Sequence, residues 1–197
     1  MQKLVIASNN PGKLREFRFL LQPLGIEVLT QAELGIGEAE EPHGTFVENA
    51  LAKARHVSRL SGLPALADDS GICVAALDGA PGVLSARYAG DNPKSDRRNN
   101  EKLLQAMRGV TDRRAHYYCV LVLMHHADDP QPLIAEGEWH GEIAHEERGD
   151  GGFGYDPLFW LPGLGRMSSE LEHEQKHAIS HRGKALKVLL EKLRVSS

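Results

Sequence analysis

Two long runs, Ala115–Met124 and Pro132–Ala144, flank the turn-forming stretch Asp128-Asp129-Pro130. Apolar, partly alternating segments on either side of such a turn predict a β-hairpin of two long strands. The rest of the chain alternates between strand and helix. Lys3–Ala7 reads as a short buried strand and Ser8-Asn9-Asn10-Pro11-Gly12-Lys13 as a turn. Leu14, Phe17, Leu20, Leu21 and Leu24 then recur at helical spacing, Gly25 suits the helix end, and Ile26–Thr30 reads as a second strand. An antiparallel hairpin embedded among such units requires a mixed sheet, so the expected class is α/β with flanking helices.

Thr45-x-x-Glu48 is a capping box that opens a helix with Phe46, Ala50, Ala54, Val57 and Leu60 on its apolar face, and Gly62 ends it. Ala65–Ala67 leads into Asp68-Asp69-Ser70-Gly71, and Ile72–Leu77 reads as another strand. Leu186, Leu189, Leu190 and Leu193 give the last helix its core stripe. No internal repeat or linker is visible. The 197 residues suit a single domain spanning 1–197, and a chain of this size buries roughly 70% of its unfolded surface without staples.

A net charge of −4 argues against a general nucleic-acid or membrane-surface binder. No apolar run is long enough for a membrane helix, and Leu4–Ala7 is too short for a signal-peptide core. The two cysteines, Cys73 and Cys119, sit in strand-like apolar runs, which fits buried thiols in a reducing compartment. These points together predict a soluble, cytoplasmic protein.

Chemistry concentrates in five places. Ser8–Lys13, between a strand and a helix start, has the layout of an anion site but lacks the Walker A pattern. A cation such as Lys13 in a first helical turn is unfavourable by about 0.3–1 kcal/mol unless an anion lies nearby; an ordinary turn with a solvated lysine is the competing reading. Asp68-Asp69 are adjacent carboxylates at a strand end. Side chains alternate along a strand, so one is expected to bind metal or act as base while the other supports it. Glu40-Glu41 could complete that site, and all-oxygen ligands favour Mg²⁺ over Zn²⁺; a polar turn is the competing reading. Gly149-Asp150-Gly151-Gly152-Phe153-Gly154 matches G-x-G-x-x-G, but Tyr155-Asp156-Pro157 follows it and excludes the required helix. A ligand-stacking loop built on Phe153 and Tyr155 fits better. His173-Glu174-Gln175-Lys176-His177 is a literal H-E-x-x-H, although Lys176 between the histidines opposes Zn²⁺. Lys176, His181, Arg182 and Lys184 form a basic group near the last helix start, and Lys53 lies beside an apolar helix face.

Taken in order, these stretches resemble the inosine/xanthosine triphosphate pyrophosphatase family. The resemblance rests on Leu4–Lys13, Thr45–Ala50 with Lys53-Ala54-Arg55, Ala67–Gly71, Gly79–Gly82 with Ser85–Tyr88, Gly151–Pro157, and Ser180–Gly183 with Ala185-Leu186. It covers nearly the whole chain. It implies a long central mixed sheet with flanking helices, two lobes with an active-site cleft between them, and a homodimer. It implies Mg²⁺-dependent hydrolysis of ITP, dITP or XTP to the monophosphate and pyrophosphate. Under it, Asp69 is the general base and, with Glu41, a metal ligand. Ser8, Asn9, Asn10, Pro11, Gly12 and Lys13 hold phosphate and Ser70 contacts substrate. Phe153, Gly154, Tyr155 and Asp156, with Lys176, His181 and Arg182, receive the nucleotide and its base. Apart from the resemblance, electrostatics give Lys53, with Lys13, the expected part of stabilising the triphosphate and the leaving pyrophosphate. A zinc protease built on His173 and His177 and a non-catalytic purine nucleotide-binding protein stand as alternatives.

Overall fold

The computed structural model describes residues 2–195; the side chains of Leu20 and Val195 lie outside what is described. Strand β1 (Lys3–Ile6) pairs in parallel with β2 (Glu27–Thr30) and with β3 (Ala65–Val74). Helix α1 (Pro11–Leu21) connects β1 to β2, and α2 (Phe46–Ser61) connects β2 to β3. After α3 (Asp96–Ala106), β4 (Arg114–Met124) and β5 (Leu133–Ile143) form the two long strands. The short β6 (Phe159–Leu161) and β7 (Arg166–Met167) follow, and α4 (His173–Ile179) and α5 (His181–Val195) end the fold. All seven strands join one sheet in the order β2-β1-β3-β4-β5-β6-β7. β5 to β6 and β6 to β7 are antiparallel, so the sheet is mixed as the embedded hairpin requires.

The local signals act as the residues dictate. Asn10 caps α1 with Pro11 at the first helical position, which suits a residue without an N–H. Thr45 caps α2, and Gly62 ends it in the left-handed conformation at φ 68°. Three expectations are corrected. α1 stops at Leu21, so Leu24 falls in a following 3₁₀ turn and is exposed. Leu60 is exposed as well. In that last turn of α2 Ser58 is turned inward instead, and its hydroxyl donates to Leu63 O at 2.9 Å. Asp68-Asp69-Ser70-Gly71 is not a turn between two strands: β3 runs through it without a break.

The chain forms two compact units. Of the described residues, the first contains those up to Asp69, Cys119–Gly137 and those from Arg182 onward. Its core joins Leu4, Ile6, Phe17, Leu21, Leu66, Leu121, Leu123, Leu186 and Leu189. The second contains Ser70–Tyr118 and Glu138–His181, with a core of Ile72, Val74, Leu103, Met107, Tyr117, Trp139, Tyr155 and Phe159. β3 is buried along almost its whole length, as a strand covered on both faces must be. β5 instead buries Ala135, Trp139 and Ile143 and exposes Glu136, Glu138 and His140, the alternation of a strand with one wet face. Among the described residues no helix is long and apolar enough to cross a membrane.

Candidate active site

In the first unit, consecutive side chains of β3 find separate sets of partners, as strand alternation demands. The Asp68 side chain is fully buried and takes charge-assisted bonds from Lys13 Nζ on α1 and from Arg182 Nε on α5, the latter at 2.6 Å. Cys119 Sγ on β4 donates to the same carboxylate at 3.3 Å. Arg182 also pairs with Glu16, one helical turn beyond Lys13. Burial would raise the Asp68 pKa, but Arg182 and Lys13 outweigh it and hold the carboxyl well below its ordinary value. The unfavourable cations at the helix starts therefore do have anions beside them, and those anions belong to the protein.

Asp69 meets different partners. Lys53 Nζ on α2 donates to Asp69 Oδ1 at 2.9 Å and to Glu41 Oε1 at 2.6 Å. The other oxygen, Asp69 Oδ2, is buried and has no hydrogen-bond partner among the described residues. Burial raises the Asp69 pKa, and the nearby Lys53 and Lys13 charges only partly offset it. Burial would lower Lys53, but Asp69 and Glu41 overcome it and its pKa ends above the ordinary value. The result is a carboxylate held by one oxygen, poised toward protonation, with the second oxygen uncommitted. The loop that brings Glu41 here is tied to α2: Asn49 Oδ1 accepts from His43 N at 3.1 Å and Asn49 Nδ2 donates to His43 O at 3.2 Å. That function of Asn49 was not read from the sequence, nor was the part played by Glu16.

The fit of Mg²⁺ follows from this donor set. Among the described residues no group of three or more His, Cys, Asp or Glu side chains is arranged to hold a metal ion. Mg²⁺ is commonly bound by one or two carboxylates together with water and substrate phosphates, so the Glu41 and Asp69 carboxylates suit it. A zinc centre needs a third protein ligand. His173 and His177 stand 6.1 Å apart between ring centroids and cross at 88° without one.

The turn before α1 is more occupied than the sequence suggests. Asn10 Oδ1 accepts from Gly12 N at 2.9 Å and Lys13 N at 3.1 Å, and Asn10 N donates to Ser8 Oγ at 3.2 Å. Asn9, Asn10 and Pro11 are exposed, while Gly12 is buried and Ser8 and Lys13 half-buried.

The second unit gathers the remaining candidates. Asp156 is buried and accepts from Lys176 Nζ at 2.5 Å, Phe153 N at 2.8 Å and Ser168 Oγ at 2.9 Å. Lys176 Nζ also lies 4.7 Å from the Phe153 ring centroid, a cation–π distance. Gly154 N donates to Asp96 Oδ2 and Tyr155 Oη to Ser85 O, each at 2.8 Å. His181 is stacked on Tyr117 at 4.7 Å and 9°. Ser70 is half-buried on β3. The basic group read from the sequence near the last helix is thus divided: Lys176 serves Asp156, Arg182 serves Asp68 and Glu16, and Lys184 is exposed.

Fold and residues together define a mixed α/β protein with two adjacent carboxylates, differently partnered, on its buried strand β3. The chain belongs to the Ham1 family, which it matches over residues 4–192. It is 64% identical over 197 residues to a dITP/XTP pyrophosphatase of Ralstonia nicotianae, covering 99% of this chain and 98% of that one. It is 65% identical over 193 residues to a dITP/XTP pyrophosphatase of Nitrosomonas europaea, covering 98% and 95%. Among solved structures, a HAM1 protein from Coxiella burnetii matches with a TM-score of 0.91 at 48% identity, over 100% of both chains. None of these relatives supports the zinc-protease or non-catalytic alternatives.

Proposed function

We propose that the protein hydrolyses the α–β phosphoanhydride of non-standard purine nucleoside triphosphates, ITP, dITP and XTP, and releases the monophosphate and pyrophosphate. The observation that carries the chemistry is the asymmetry of Asp69: Oδ1 is held by Lys53 and Oδ2 is buried without a partner. A general base must be oriented, within reach of a water, and of raised basicity. Asp69 has the orientation from Lys53 and the raised pKa from burial. In the step proposed, Asp69 Oδ2 takes a proton from water, the water oxygen bonds to the α-phosphorus, and the bond to the bridging oxygen breaks with pyrophosphate leaving. Lys13 and Lys53 stabilise negative charge on the phosphates as it shifts. Glu41 and Asp69 would hold Mg²⁺, which when bound neutralises phosphate charge. The names of the curated relatives support the substrate class.

For the base, the half-buried Phe153 supplies aromatic surface and Lys176 a donor, whereas Tyr155, expected from the sequence to share the stacking, is packed into the core with its hydroxyl on Ser85 O. A 6-oxo purine presents an acceptor where adenine presents an amino donor, and an unpaired buried polar group can cost a factor of about 10⁴ in selectivity. Guanine shares the 6-oxo group, so its exclusion falls to contacts at its 2-amino position. The reading carries a homodimer with it, checked by sedimentation equilibrium.

The test measures pyrophosphate release from ITP, XTP, ATP and GTP, each with Mg²⁺ and with EDTA. The expected result is turnover of ITP and XTP only, abolished by EDTA. Equal turnover of ATP would refute the substrate class, and full activity in EDTA the metal.

A further inference from the structure

The loop that carries Phe153 contains Gly151, Gly152 and Gly154, with φ of 77° and 62° at the last two, so its backbone has wide freedom to begin with. Yet the structure ties it at successive residues. Phe153 N is held by Asp156, and Asp156 Oδ1 is itself held by Ser168 Oγ and, at 3.4 Å, by Tyr117 Oη. At Gly152 a Cβ would collide with the Asp156 carboxyl, so the backbone approaches that group as only glycine can. The next amide, Gly154 N, is held at 2.8 Å by Asp96 Oδ2. Asp96 lies far away in sequence, at the first position of α3, and is exposed.

We propose that Asp96 is a positioning residue for the nucleotide base: by accepting from Gly154 N it completes, with Asp156, a two-carboxylate clamp that holds the Phe153 ring in a preformed stacking position. This rests on the reading of the second unit's aromatic loop as a base site. A loop already ordered before binding loses little freedom when ligand arrives, and a loose glycine-rich one loses much. The clamp therefore acts on substrate affinity and leaves the acid–base step at Asp69 alone. Asp96 also sits in the first turn of α3, where a negative charge favours the helix dipole. The two roles separate cleanly, because the same helix has a second N-terminal support. Ser95 Oγ accepts from Arg98 N at 3.3 Å and has no part in the loop.

The experiment compares Asp96→Ala, Asp96→Asn and Ser95→Ala by steady-state kinetics on ITP, with hydrogen exchange of the 152–156 backbone as a second readout. Asp96→Ala should raise KM about tenfold, the scale of one lost charge-assisted hydrogen bond, and speed exchange of the loop with kcat little changed. Asp96→Asn keeps an acceptor oxygen and should restore most of the affinity. Ser95→Ala should lower Tm but leave KM and loop exchange as in the wild type. An unchanged KM in Asp96→Ala, an equal KM rise in Ser95→Ala, or no rescue by asparagine overturns the clamp. Wild-type enzyme that fails to turn over ITP overturns the functional reading instead, and the clamp's role in substrate binding with it.

Discussion

Replacing Asp69 by asparagine separates the chemistry of this site from its stability. The amide is nearly isosteric: its oxygen can keep the 2.9 Å bond from Lys53, and its NH₂ takes the buried place of Oδ2. Lys53 retains Glu41 at 2.6 Å, so its ammonium is not orphaned. What is lost is a proton acceptor, and general-base catalysis supplies about 10²–10⁴ in rate, or about 3–5 kcal/mol of barrier. The stability effect has the opposite sign. The folded Asp69 pKa lies above its ordinary 3.8 because burial outweighs Lys53. Its ionised form therefore costs stability above that folded pKa, and the cost disappears as pH falls through it. Asparagine removes the cost. At pH 7 and in EDTA, Asp69→Asn should unfold at the same or a higher temperature than wild type, with turnover of ITP down by at least two orders of magnitude, the lower bound of about 10² above. The gap in stability should close on acidification toward pH 3.8. Pyrophosphate release and thermal unfolding across pH check both halves. Turnover within tenfold of wild type would refute the base assignment, and a markedly lower Tm at pH 7 would refute the claim that this charge is held at a cost.

The neighbouring carboxylate predicts the reverse. Asp68→Asn leaves the buried Arg182 and the half-buried Lys13 short of a counter-charge, and breaking a buried pair such as Asp68 with Arg182 costs about 3–5 kcal/mol, measurable by urea unfolding. Because the folded Asp68 pKa is depressed, its contribution is complete above 3.8 and lost as pH falls through the folded value, so wild type and variant should converge only in strong acid. Gly71→Ala places a Cβ against Gly82 O and Ser85 Oγ, where Ser85 already donates to Gly82 O at 2.6 Å and accepts from Ile72 N at 2.9 Å. That overpacking should cost about 1–3 kcal/mol in the same assay.

Much of the architecture was legible because its signals are local. The Thr45 cap, Gly62, the strand before Ser8 and the paired long strands each announce themselves within a few residues, although Glu48 accepts from the Thr45 hydroxyl and not from its backbone N–H as a full capping box requires. The unbroken course of β3 was not, because Asp-Asp-Ser-Gly is good turn chemistry by itself. It stays extended because distant cations meet it: Lys13 is 55 residues from Asp68 in sequence and Arg182 is 114 away. The same separation hid the true partners of those cations. Electrostatics at a helix start called for an anion, but whether that anion is a ligand or a carboxylate of the chain is a tertiary fact. Alternation along a strand, by contrast, is a rule of backbone geometry, and it sends Asp68 and Asp69 to different partners.

Those different partners set different electrostatics. Around Asp68, ion pairs join two cations (Lys13 and Arg182) to two carboxylates (Asp68 and Glu16). Around Asp69, the Lys53 ammonium is shared by two carboxylates, Asp69 and Glu41, and the Lys13 charge acts on Asp69 more weakly. Ionising a carboxylate so placed is costly in a low-dielectric setting, which is why burial raises the Asp69 pKa, and a cation relieves that cost. On the proposed reading, a divalent cation is drawn to the Asp69 side of β3 and finds no electrostatic reason to enter the Asp68 side. Moving one charge across the strand should move that preference. Lys53→Met, which removes the cation bonded to Asp69, should increase the stabilisation by Mg²⁺ seen in thermal unfolding more than Lys13→Met, which removes a charge that is bonded to Asp68 and acts on Asp69 more weakly. Equal responses in the two variants would show that charge balance does not direct the metal.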